Sequence, residues 1–140
     1  MRAELRKLVQ RLSLAERVIF VGQLEERDLH ACYQAATLFI HPTLYEGSSL
    51  VTLEAMTHAL PVVATRVGGL PDKIEAGVNG WLVNPGDVTG LSQTVGNALL
   101  QPGRLVAMGR AGRAIVKKKF AWPAVIQQLL GLYDDLLSQG

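Results

Sequence analysis

The chain has 140 residues, which suits one domain and excludes two full Rossmann-like lobes. With 49% apolar and 19% charged residues it is too apolar for a disordered chain, and a net charge of +2 does not call for a nucleic-acid partner. Cys32 is the only cysteine, so no internal disulfide is possible, and no apolar run approaches the roughly 20 residues of a membrane span.

In chain order, Leu5, Leu8, Val9 and Leu12 recur at helical spacing and predict a helix over 2–12. Val18-Ile19-Phe20-Val21 is a short continuous apolar run ending at Gly22, as a buried strand would. Residues 26–36 read as a helix. Thr37-Leu38-Phe39-Ile40 is a second buried run, stopped by Pro42. Leu50, Leu53, Ala55 and Met56 give a helix over 49–59. Pro61-Val62-Val63-Ala64 is a third run, followed by the turn Gly68-Gly69 and a short helix over 71–76. Trp81-Leu82-Val83 is a fourth run.

Strands apolar on both faces, alternating with amphipathic helices, mean βαβ units and a parallel sheet. The chain then turns helical: 88–100 behind the N-cap Asp87, then 102–119 and 122–138, split at Trp122-Pro123. The expected fold is α/β, a Rossmann-like parallel sheet of about four strands with a helical C-terminal section. Residues 1–140 form one lobe.

The chemistry concentrates in 41–72. A buried strand ends at Pro42, and a turn of Gly47, Ser48 and Ser49 opens a helix near residue 49. In open α/β sheets ligands bind at the carboxyl ends of the strands. A helix N-terminus there offers free N–H groups and a partial positive charge, which suits phosphate. Ser48 or Ser49 can cap the helix or bond a phosphate oxygen. Glu46 stands just before the turn and Glu54 lies eight residues on; a carboxylate at either place can accept from the paired hydroxyls of a sugar or ribose.

These residues resemble a family. Glu46-x7-Glu54, set in P-x-x-x-EG-x-x-L-x-x-LEAM, is similar to the signature of the family 4 glycosyltransferases, which have the two-lobed GT-B fold. The flanks agree: VIFVG at 18–22, LPVVAT at 60–65, GGLPD at 68–72, GVNGWLVNPGD at 77–87 and FAW at 120–122. The resemblance covers roughly 8–137. It implies a nucleotide-sugar-binding C-terminal lobe that acts by retaining glycosyl transfer. Glu46 would approach the donor sugar as the catalytic-site carboxylate, and Glu54 would bind the ribose. The turn Gly47, Ser48, Ser49 and Leu50 would meet the diphosphate or sugar, and the nucleobase would pack near Gly22, Gln23 and Leu24. The donor would be UDP- or GDP-linked, with no cofactor and no metal.

The chain departs from the family pattern in three places. Ser48-Ser49 stands where Phe-Gly is frequent, Ala59 where Gly is frequent, and Asp72 where Glu is usual. The upstream Arg and Lys that neutralise the diphosphate have no counterpart, nor has the acceptor lobe or a central strand pair between the runs at 18–21 and 37–40. The expectation is therefore a donor lobe truncated at its N-terminus and inactive alone. Its open sheet edges would invite self-association. The absence of a leader points to the cytoplasm, with membrane-surface contact left open.

Other features carry simpler readings. His41 reads as a structural histidine, His58 as a helix-end dipole partner, His30 as exposed, and Cys32 as a small buried hydrophobe. Arg66 and Lys117–Lys119 read as solvated or helix-end charges, and Trp81 and Trp122 as core. The alternative function is a non-catalytic nucleotide-binding or oligomeric module. An NAD enzyme would need Gly-x-Gly-x-x-Gly after the first run, where Gly22-Gln23-Leu24-Glu25-Glu26 stands instead.

Overall fold

A computed structural model describes residues 2–138 of the chain. It divides into two compact units, one ending at Ala31 and the other beginning at Cys32.

The first unit holds helix α1 (Arg2–Arg11), an irregular stretch, and the start of α2 (Glu26–Ala35). No residue of α1 is buried, and the Arg6 guanidinium lies 5.8 Å from the centre of the Phe20 ring. The strand expected at 18–21 does not form. A strand exists only through a neighbouring backbone, and among the described residues none pairs with this run. Its Ile19 and Val21 side chains are 84% and 56% exposed.

In the second unit, β1 (Phe39–His41), β2 (Val62–Thr65) and β3 (Gly80–Val83) form a parallel sheet in the order β1-β2-β3. Phe39 pairs with Val62, and Val62 with Gly80. The sheet is parallel as expected, but among the described residues it has three strands rather than about four. Every residue of the central β2 is buried, which is why that run is apolar on both faces.

Between and after the strands come α3 (Leu50–Thr57), α4 (Leu70–Lys73), α5 (Val88–Leu99), α6 (Pro102–Ile115) and α7 (Trp122–Ser138). The core is Met56 of α3, Val62 and Ala64 of β2, Leu70 and Ile74 at α4, and Val116. Asp87 caps α5 as expected, its Oδ1 accepting from the Gly90 N–H at 2.8 Å. The helix expected over 102–119 instead ends in a π-helical turn, Val116–Phe120, closed by the Ala121 N–H on the Val116 carbonyl at 3.0 Å.

Three core expectations fail. Cys32 is exposed, because Tyr33 is the residue of α2 that faces inward and its neighbour sits about 100° around the helix. Trp122 is 78% exposed at the start of α7, a helix with no buried residue. Trp81 is only half-buried, with the Arg104 guanidinium 5.6 Å from its ring centre. Among the described residues no helix is long and apolar enough to cross a membrane.

Candidate functional site

The site is built on the carboxyl end of β1. Pro42 stops the strand, and the loop from 42 to 49 is then held at two points. The Thr65 hydroxyl, at the end of β2, donates to the Thr43 carbonyl. The Gly69 N–H donates to the Gly47 carbonyl at 2.9 Å. Gly68 makes the second contact possible. Its φ is +48°, and a Cβ built there would lie 1.5 Å from the Glu46 carbonyl oxygen, so no side chain fits.

Glu46 Oε2 lies 3.0 Å from His41 Nε2. A carboxylate oxygen only accepts, so the ring nitrogen donates. The two side chains are 22% and 23% exposed, which orients the carboxylate and leaves it within reach of a ligand. His41 in turn stacks on Phe39, with ring centres 6.0 Å apart. The structural role expected of His41 is thus the orientation of Glu46.

Gly47 and Ser48 are exposed. Ser49 is buried at the N-cap of α3, and its hydroxyl bonds the Thr52 hydroxyl at 2.9 Å rather than capping the helix. The first N–H groups of α3 therefore keep their partial positive charge without a side-chain cap. Leu50 opens the helix largely exposed.

Glu54 comes four residues later, about 6 Å along the axis. Its Oε2 accepts from the Tyr33 hydroxyl at 3.2 Å. Tyr33 is buried, stacked on His58 and edge-on to Phe39. Burial first, then the charge of Glu54 and its hydrogen bond, push the Tyr33 phenol above its ordinary value of 10.0. A groove of about 510 Å³ runs beside Glu54, lined by Leu50, Leu53, Lys117 and Phe120 among others. That is room enough for a nucleoside-sized ligand.

Sequence reading misses two residues here. Tyr33 gives no signal at a distance of 21 residues from its partner. Lys73 follows the Gly68–Asp72 motif directly, and nothing in the sequence singles it out. In the fold it is 4% exposed, and its Nζ donates to Ser48 Oγ at 3.2 Å and to the Gly69 carbonyl at 3.4 Å.

Glu46, Gly47, Ser48, Ser49, Leu50 and Glu54 thus lie together around the start of α3. Gly22, Gln23 and Leu24 belong to the first unit, in the irregular segment before α2, where Gly22 takes φ +73°. Arg66 is exposed after β2, its N–H donating to the Val83 carbonyl at 2.8 Å. Lys119 pairs with Glu75 at 2.8 Å.

Residues 1–101 match the model of a family described as glycosyl transferases group 1. The chain is 33% identical, over 95% of its length, to the MMP alpha-(1->4)-mannosyltransferase of Mycolicibacterium hassiacum, of which it covers 33%. Its fold superimposes on sucrose-phosphate synthase from Thermosynechococcus elongatus with a TM-score of 0.85 and 35% identity. That match covers 99% of this chain and 35% of the other. It also matches Anabaena HepE, solved in complex with UDP-glucose, with a TM-score of 0.82 and 28% identity over 95% of this chain and 36% of that one. The chain spans about a third of the length of each of these proteins. The α/β fold is thus the Rossmann-like lobe of a GT-B glycosyltransferase, and the chain belongs to the group 1 glycosyl transferases.

Proposed function

We propose that this chain is the donor-binding lobe of a family 4 glycosyltransferase, which transfers a sugar from a UDP- or GDP-linked donor with retention of anomeric configuration. The reading rests on one observation. Two carboxylates, each oriented by its own partner, stand on either side of a helix N-terminus that no side chain caps.

In this reading the ribose lies beside Glu54. Tyr33 occupies Oε2 and leaves Oε1 to accept from the ribose hydroxyls. The diphosphate meets the first N–H groups of α3, whose partial charge offsets the negative charge that grows on the leaving group. Glu46, fixed by His41, accepts from the hydroxyls of the donor sugar and holds its anomeric carbon toward the acceptor. A second lobe binds the acceptor, so this chain alone does not turn over. Two facts support the reading from outside the site: the family match, and the UDP-glucose bound in the Anabaena relative.

The test is titration calorimetry of the chain with UDP, GDP and their glucose and mannose derivatives at millimolar concentration. Saturable heat is expected with one nucleotide series. Glu54→Ala should weaken binding at least about tenfold, because it removes hydrogen bonds to a charged group. No heat with any of these nucleotides, or a Glu54→Ala variant that binds like the parent, rejects the reading.

A further inference from the structure

We propose that the Lys73 ammonium, acting through the Ser48 hydroxyl, is the positive charge that positions the donor's diphosphate over the start of α3. This inference rests on the donor-lobe reading above.

Lys73 closes α4 and is almost fully buried. Two of its three N–H groups are accounted for, one on Ser48 Oγ at 3.2 Å and one on the Gly69 carbonyl at 3.4 Å. The Phe120 ring centre lies 5.9 Å from Nζ. All of these partners are neutral. Glu46, Asp72 and Glu75, the carboxylates on the chain segments around this lysine, are engaged elsewhere or face solvent: Glu46 on His41, Glu75 on Lys119, and Asp72 exposed. Among the described residues Lys73 has no ion-pair partner. A buried ammonium without a counter-ion is unfavourable, and an anion arriving beside it relieves that cost.

The hydroxyl geometry says where the anion arrives. Lys73 donates to Ser48 Oγ, so the Ser48 O–H hydrogen points away from Lys73. Ser48 is exposed at the turn, and its hydrogen is therefore presented outward as a donor polarised by the ammonium behind it. That donor adjoins the uncapped N-terminus of α3. A neutral sugar hydroxyl gains little from such a charge, whereas the anionic oxygens of a diphosphate gain most. The ammonium is thus delivered from beneath the turn, through a serine at the position where Phe is frequent. Lys73 is on this account a positioning residue, and Ser48 makes the contact.

The test measures affinity in the intact protein for UDP and GDP, for uridine and guanosine, and for inorganic pyrophosphate. The variants are Lys73→Met, Lys73→Arg and Ser48→Ala, with the melting temperature of each recorded. Lys73→Met should weaken the nucleoside diphosphate and pyrophosphate about tenfold or more and change the nucleoside less than about twofold, the pattern of a lost charge-assisted bond. Ser48→Ala should weaken the diphosphate about threefold or more, and Lys73→Arg should restore most of the affinity. A lysine that merely holds the turn would instead weaken nucleoside and diphosphate alike and lower the melting temperature, and that result overturns the proposal. If Lys73→Met does not fold, Ser48→Ala, on an exposed residue, decides alone. Parent-like diphosphate binding in both variants overturns the proposal and leaves the donor-lobe reading standing. If the parent protein binds neither UDP nor GDP, both fall together.

Discussion

Tyr33 and Glu54 are 21 residues apart in the chain and share one hydrogen bond at 3.2 Å. The bond gives Glu54, which an apolar helix face would otherwise penalise, a fixed orientation. It also couples stability to pH. Burial, followed by the charge and hydrogen bond of Glu54, favours the neutral phenol, so the folded protein keeps a proton that the unfolded chain releases near pH 10. Above that pH the unfolded state binds fewer protons than the folded one, and the slope of stability against pH is negative. Tyr33's contribution is complete below pH 10 and is lost as pH rises through the raised value. Urea denaturation between pH 8 and 11 should show stability falling above pH 10, with a shallower fall in Tyr33→Phe. Equal slopes in the two proteins would contradict this account. Ala59 is another residue-scale cost. The departure from Gly places an L residue at φ +58°, in the left-handed region that Gly tolerates better by about 1 kcal/mol. The two carboxylates stand out in the sequence through the motifs that flank them, since their spacing alone is a weak signal. Tyr33 and Lys73 do not, because a hydroxyl or ammonium partner is chosen by tertiary contact and leaves no local pattern.

At the scale of elements, the site depends on two loops touching through their backbones. The Glu46-Gly47 peptide lies against Gly68-Gly69, and the start of α3 follows three residues later. Gly68→Ala would force a methyl into the Glu46 carbonyl at a positive φ. We expect a loss of about 2–4 kcal/mol, combining overpacking with backbone strain. Gly47→Ala is the matched control, since a Cβ at Gly47 meets nothing within 4 Å. It should cost less than about 1 kcal/mol. Denaturant midpoints of the two variants give the comparison, and similar losses would mean that the loop contact does not hold the site. This dependence explains what sequence could reveal about the elements. A run such as Pro61–Ala64 announces a buried strand because both faces of β2 are buried, and Gly68-Gly69 announces a turn. The run at 18–21 carries the same apolar signature without pairing, because pairing is decided by a second segment and not by the run itself. The π-helical turn at Val116–Phe120 was equally hidden, since helical spacing alone does not mark a shift from i+4 to i+5 bonding.

Across the whole molecule, burial is uneven, and stability should follow it. In the second unit, β2 is buried throughout and α3 contributes Ala55 and Met56 to the interior. In the first unit, α1 buries nothing, and its Leu5, Leu8 and Leu12 are exposed. A ten-residue helix that buries no side chain fully is marginal in water, because its nucleation cost is not recovered by so few hydrogen bonds. α7 is longer, with 17 residues, and it too has no buried side chain. Amide hydrogen exchange should therefore divide along these lines. The β2 and α3 amides should exchange only through global unfolding, with protection above about 10⁴-fold, whereas those of α1 should open locally with protection below about 100-fold. α7 should lie between, because its length supports more helix than α1 without adding packing. The experiment also tests whether exposed leucines remain exposed in solution. Protection of α1 equal to that of β2, and falling on dilution, would mean that another copy covers Leu5, Leu8 and Leu12. Protection equal to that of β2 and independent of concentration would contradict the link between burial and local stability on which the prediction stands.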